Sequence, residues 1–287
     1  MSIRNSLKDL EEETVRQGKK ISQIILEDQS SELGVPCSEV FLKMLYNFNV
    51  MEKSTGEGLA NERACSDGFC GPDSQKLNDY LQSGHNICGN ILSGALVKSL
   101  AVARYNSCMG RIVAAPTAGS CGIIPAVLLS VMEERGLAEH DIVMSLFNAG
   151  GIGMVIASRA TLSGAEGGCQ AECGSASAMA ASAVVELLGG NSSQCIHACA
   201  IALKNTLGLV CDPVGGLVQV PCIKRNAMGA ANALVAAQLA LAGIRSAIPA
   251  DEVIDAMKAV GQKMSTDFKE TAKGGLADTP TGRRGIG

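Results

Sequence analysis

The chain has 287 residues, 24 Lys and Arg against 28 Asp and Glu, a net charge of −4, twelve cysteines and no tryptophan. A chain this long buries a sizeable core. Its scattered cations and scarce aromatic rings offer neither a basic surface nor stacking platforms, so no nucleic-acid partner is expected. The opening twenty residues are charged throughout and lack an apolar h-region, so no secretory signal is read there, the expected location is cytoplasmic, and its thiols are expected to stay reduced.

Within residues 1–35, Leu7, Leu10, Ile21, Ile24 and Ile25 recur at roughly helical spacing among charges. This predicts an N-terminal amphipathic helix, a candidate for subunit contact, closed by Leu33-Gly34-Val35-Pro36. Ser38 is the expected N-cap of a helix over 39–49, with Val40, Phe41, Met44, Leu45 and Phe48 as its apolar stripe. From Ser54 to Gly84 the composition shifts to Gly, Ser, Asp and Pro, which reads as loop. Ala-rich helical segments follow at about 87–105, 122–135, 141–149, 173–188, 192–207, 226–243 and 250–263. Pro125 and Pro249 fall where a first helical turn accepts proline, and Gly136, Gly189-Gly190 and Gly243 fall just past helix ends. There is neither a repeat nor a linker. The fold class read from this pattern is mainly α: a single compact helical domain over 1–287 with Gly-rich loops.

Two uncharged stretches, Ile112 to Met132 and Asn226 to Ile244, have bilayer-spanning length. The first carries Pro116, Gly119, Gly122 and Pro125 and reads as a turn entering a helix. The second is Ala-rich without Trp or Tyr anchors. No membrane association is expected.

Asn148-Ala149-Gly150-Gly151-Ile152-Gly153-Met154 resembles a dinucleotide loop, but Ile156 stands where the third glycine belongs, and no nucleotide is expected. There is no Walker A and no C-x-x-C. In Cys195-Ile196-His197-Ala198-Cys199 a helix turns His197 about 200° from the cysteines, so a core pair with a rim histidine is expected rather than a metal site. Cys169, Cys211 and Cys222 differ, lying among turn residues: Ser163-Gly164-Ala165-Glu166-Gly167-Gly168 before Cys169, Asp212-Pro213-Val214-Gly215-Gly216 after Cys211, and Pro221 before Cys222. Glycine lets backbone wrap a bulky inorganic group, and proline fixes a thiolate's direction. Spacing alone fits either a metal cluster or three buried thiols.

These segments, with Pro116-Thr117-Ala118-Gly119-Ser120-Cys121-Gly122, Ser83-Gly84-His85 and Gly274-Gly275-Leu276-Ala277-Asp278-Thr279-Pro280, closely resemble the iron–sulfur L-serine dehydratases, specifically the α chain of the two-subunit form. The similarity runs from about 40 to 282. It implies a catalytic domain that converts L-serine to pyruvate and ammonia, a carbon–oxygen lyase working without pyridoxal phosphate. It also implies that Cys169, Cys211 and Cys222, separated by 42 and then 11 positions, ligate a 4Fe–4S cluster, and that a separate β subunit completes the enzyme. An oligomer is expected. Cys88, Cys121 and Cys173 are extra thiols read as packing residues.

Three ligands on four irons leave one iron open to act as a Lewis acid toward the serine carboxylate and β-hydroxyl. The turn containing Thr117, Gly119, Ser120 and Gly122 precedes a helix and offers free N–H groups to an anion. An ordinary capped turn is the competing reading, and the resemblance favours the site. Lys224 and Arg225 adjoin Cys222; they either balance charge there or are solvated surface. His85 is the candidate base by motif and by its ordinary pKa, against the competing readings of a buried structural histidine or a Ser, Lys or Asp base. Related cluster enzymes acting on cysteine or threonine, and a non-enzymatic Fe–S sensor, are the alternatives.

Overall fold

The computed structural model describes residues 6–60 and 71–284, and every regular element among them is helical, as the composition predicted. The N-terminal stretch holds two helices rather than one: α1 (Leu7–Gln17) and α2 (Ile21–Leu33). Gly18 takes the left-handed φ of 65° that ends α1, because no Cβ opposes it there. Leu7, Leu10, Ile21 and Ile24 are buried, so their stripe is used inside this chain's own core.

α3 (Cys37–Ala60) starts directly after Pro36, without Ser38 as its cap, and continues well past residue 49. Its extension packs on α5 (Gly89–Ser107): a Cβ on Gly58 would lie 2.3 Å from the Ala101 carbonyl oxygen, so glycine sets how closely the helices cross. Where loop was expected, α4 (Asp73–Gln82) also forms, its Leu77 packing against Leu100, Ala103 and Ile223. The remainder of that expected loop, 61–70 with Cys65 and Cys70, lies outside the described residues. Nine described cysteines are free and Cys108 is disulfide-bonded, so not every thiol is reduced as expected.

The remaining helices are α6 (Ile123–Arg135), α7 (Glu139–Arg159), α8 (Gly164–Gly167), α9 (Ser175–Leu187), α10 (Ser192–Lys204), α11 (Cys222–Leu241), α12 (Ala250–Lys263) and α13 (Pro280–Arg283). α9 is the centre: Ser175 through Glu186 are all buried, under α6, α7, α10 and α11. Its Ser and Ala side chains let four helices approach one axis, as close packing requires. The glycine-rich motif of α7 is helix interior, where Gly151 admits Ile25 and Gly153 admits Met179. A polar cluster fixes register in this apolar setting: Ser182 donates to Asn148 Oδ1 at 2.7 Å and Asn148 Nδ2 donates to Glu186 at 2.9 Å.

α7 has the length and composition to cross a bilayer, and it packs against α2, α3 and α9. The stretches 112–132 and 226–244 are a turn leading into α6 and most of α11.

Candidate active site

Three helix starts meet at one place. A 3-10 turn, Ala118–Ser120, leads into α6; a π-helical turn, Gln170–Gly174, leads into α9; and α11 begins at Cys222 after Pro221. The two turns and the start of α11 pack on one another. The positive ends of their helix dipoles favour negative charge in the space between.

Asn226 joins two of these starts. Buried in the first turns of α11, it donates from Nδ2 to Gly119 O at 2.8 Å and Cys222 O at 3.0 Å, and accepts from Gly122 N at 2.9 Å. Gln170 secures the third: its Nε2 donates to Met257 O at 3.0 Å, and its Oε1 accepts from Gly208 N at 2.9 Å. The segment carrying Cys211 is held by residues far along the chain. Cys211 N donates to Phe268 O at 2.8 Å and Glu270 N donates to Cys211 O at 2.9 Å. Asp212 accepts from Leu276 N at 2.8 Å, and a Cβ on Gly275 would lie 2.4 Å from that carboxylate. The Gly274-Gly275-Leu276 motif is thus a clasp on Asp212.

Cys169, Cys211 and Cys222 therefore come from separate segments to one buried neighbourhood, with Cys169 and Cys211 each under 5% exposed. Burial pushes the Cys222 thiol up to about 12, with the charge of Cys169 adding to it. Burial also drives Cys211 up, reinforced by Glu172, Cys169, Glu270 and Cys222. Cys169 moves the other way: a hydrogen bond from Cys173, their Sγ atoms 3.4 Å apart, and the cation of Arg225 hold it below the usual thiol range. The same pairing raises Cys173, which keeps the proton. Arg225 is partly desolvated, yet Cys169 and Asp212 hold it charged; it reaches Asp212 at 2.8 Å and donates to Val210 O at 2.7 Å.

Cys211 and Cys222, raised by burial and by the charge of Cys169, are thiols that a nearby cation would help to ionise. A bound cation removes that penalty by deprotonating its ligands outright. Among the described residues no three His, Cys, Asp or Glu side chains are placed to hold a single metal ion. The donor set fits a larger polynuclear group, whose thiolate ligands need not converge on one point.

The other residues singled out by sequence fall as follows. Thr117 Oγ1 and Ser120 Oγ lie 3.1 Å apart within the turn, and Gly119 faces the Glu172 carboxylate. His85 is exposed, stacked on Tyr80 at 4.9 Å and bonded through Nδ1 to Ser83 Oγ at 2.8 Å. None of these contacts joins it to the thiols. Lys224 is 78% exposed and pairs with Asp73 at 3.3 Å, whereas its neighbour Arg225 turns inward. Cys195 and Cys199 are fully buried core thiols with His197 at the rim, accepting from Ser246 N at 3.3 Å. Sequence reasoning missed Glu172, Asn226 and Asp212. Asp212 lies inside a quoted motif, while Glu172 and Asn226 lie three and four residues past Cys169 and Cys222.

A helical core in which three helix starts bring buried thiols together beside a glycine-containing turn defines the class, an all-α protein with its cysteines gathered at helix starts. Comparison with known proteins makes this specific. The family model for "Serine dehydratase alpha chain" matches residues 16–277, and the chain belongs to that family. It is 48% identical over 278 residues to "Probable L-serine dehydratase, alpha chain" of Bacillus subtilis (strain 168), covering 97% of this chain and 92% of the relative. It is 43% identical over 284 residues to "L-serine dehydratase, alpha chain" of Peptoniphilus asaccharolyticus, covering 98% and 96%. "L-serine dehydratase TdcG" of Escherichia coli (strain K12) is 43% identical over 208 residues, which is 70% of this chain but 45% of that protein. The family resemblance read from the motifs is borne out.

Proposed function

We propose that this chain is the catalytic α subunit of an L-serine ammonia-lyase, which removes water from L-serine and releases pyruvate and ammonia without pyridoxal phosphate or a nucleotide. The observation that carries this reading is the meeting of Cys169, Cys211 and Cys222 beside the 117–122 turn, tied across by Asn226. Those three cysteines would hold a 4Fe–4S cluster. When bound, it supplies a Lewis-acidic iron free of protein thiolate.

The chain's own residues do the rest. The turn at Thr117, Gly119 and Ser120 sits at the positive start of α6 and receives the substrate carboxylate. Arg225, fixed by Asp212 and Val210 O, holds the negative charge at Cys169. Burial of the pocket keeps water from competing for these contacts. Aminoacrylate, left once water departs, tautomerises to an imine and hydrolyses in solution. A separate β subunit, an oligomeric holoenzyme and a cytoplasmic location belong to the same reading, with neither membrane nor nucleic acid as partner.

The test is anaerobic co-expression with a β chain, followed by iron and sulfide determination and a pyruvate or 2-oxobutyrate assay on serine, threonine and cysteine. Iron-dependent pyruvate release, strongest on serine and lost in air, is the expected outcome. Colourless protein that stays active without iron, or activity confined to cysteine or threonine, would end this reading.

A further inference from the structure

Resting on that reading, we infer that Glu172 receives the ammonium group of the amino-acid substrate. An amino acid held only by its carboxylate and hydroxyl still carries a cation that must be matched wherever water is removed. Few carboxylates are placed to match it. Asp212 is already taken by Arg225 and Leu276 N. Glu270 is exposed to solvent.

Glu172 sits differently. Its carboxylate accepts a hydrogen bond from Thr117 in the anion-ready turn. Its oxygens lie 3.4 and 3.5 Å from where a Cβ on Gly119 would stand. On its other side, a Cβ on Gly164 would come within 2.5 Å of Oε2 and 3.1 Å of the Cys211 sulfur. The carboxylate therefore spans the gap between the turn and Cys211, and glycines at both flanks leave that gap open. No Lys, Arg or His of the described residues forms an ion pair with it. A half-buried carboxylate without a cation is costly to a fold and is characteristic of a site awaiting one. Serine, with its carboxylate on the turn, brings its ammonium group within that reach.

The measurement uses the anaerobically assembled holoenzyme with L-serine as substrate and 3-hydroxypropionate, the same skeleton without the amino group, as competitive inhibitor. In the unaltered enzyme serine should bind at least about tenfold more tightly than 3-hydroxypropionate, as a charge-assisted contact implies. Glu172→Gln should raise KM for serine about ten- to a hundredfold. The Ki of 3-hydroxypropionate should stay within about threefold of its original value, and iron and sulfide contents should be unchanged. Glu172→Asp should recover part of the serine affinity. Equal affinity of the unaltered enzyme for serine and 3-hydroxypropionate overturns the inference without any variant. So does a Glu172→Gln enzyme in which kcat falls while KM holds, which would make Glu172 a proton-transfer group, or one in which both ligands weaken together. An unaltered, cluster-loaded enzyme that does not deaminate serine would instead be a failure of the proposed function.

Discussion

Cys169 and Cys199 are both buried thiols on helical backbone, yet only one has a cation acting on it. Cys199 is fully enclosed where α10 packs on α12, and burial, reinforced by Asp251 and Cys195, pushes its thiol far up. Cys169 has Arg225 and Cys173 within interaction range. Cys211→Ser should therefore abolish both iron binding and serine turnover. Cys199→Ser should keep most activity and lose about 1–3 kcal/mol of stability to a poorly matched hydroxyl. Equal losses of activity in the two variants would undo this sorting. Cys173, read from sequence as packing alone, touches the site through its bond to Cys169. Removing that bond takes away a stabiliser of the Cys169 thiolate, so Cys173→Ala should shift Cys169 alkylation in the cluster-free chain to higher pH. An unmoved pH profile would show the bond to be idle. Cys169, Cys211 and Cys222 were set apart in the sequence by the glycine and proline that flank them. Glu172 and Asn226 were not, because their partners stand 55 and 104 to 107 positions away at Thr117, Gly119 and Gly122 and leave no local trace.

At the scale of elements, reading by apolar stripe works where a helix has one wet face, as in α12, and falters where a helix is buried on several sides. α7 was expected to stop at 149 because Gly150-Gly151-Ile152-Gly153 reads as a break. Each interior glycine does cost helix stability, about 1 kcal/mol against alanine. Packing overrides that preference where the missing Cβ lets another segment close in. Glycines on the same fold should therefore respond oppositely to alanine. Gly150 has nothing within 4 Å of its would-be Cβ, so Gly150→Ala should raise stability by about 0.5–1 kcal/mol. A Cβ on Gly58 would run into the Ala101 carbonyl oxygen, a backbone atom that moves only if α3 and α5 separate. Gly58→Ala should cost about 2–3 kcal/mol. Chemical denaturation of both variants tests the pair, and a shift of the same sign in each would contradict the packing account. The N-terminal misreading has a related cause, since a helical stripe continues in phase across the short break that Gly18 makes.

For the molecule as a whole, the decisive feature is that helices from distant parts of the sequence start together. α9 crosses the centre and carries the Cys169 turn at its start, α6 carries the 117–122 turn, α11 delivers Cys222, and the segment around Phe268 to Leu276 anchors Cys211 and Asp212. No single segment encodes that arrangement, so sequence showed its parts without their assembly. Asn226 is where the assembly can be interrogated, because its side chain makes two bonds to the 117–122 turn and a third to Cys222 O within the start of α11. Asn226→Ala leaves Gly122 N and Gly119 O without that partner in a buried setting, which costs about 2–4 kcal/mol if no water replaces it. The three cysteines themselves remain, so the holoenzyme should retain most of its iron while the turn loses its fixed position over the pocket. Serine kcat/KM should then fall at least about tenfold, mainly through KM, since orientation of the bound carboxylate is what the staple supplies. Full iron content with unchanged KM would mean that the turn is positioned independently of α11. Loss of iron along with activity would instead make Asn226 a support for Cys222, to which it also bonds, and not for the substrate turn.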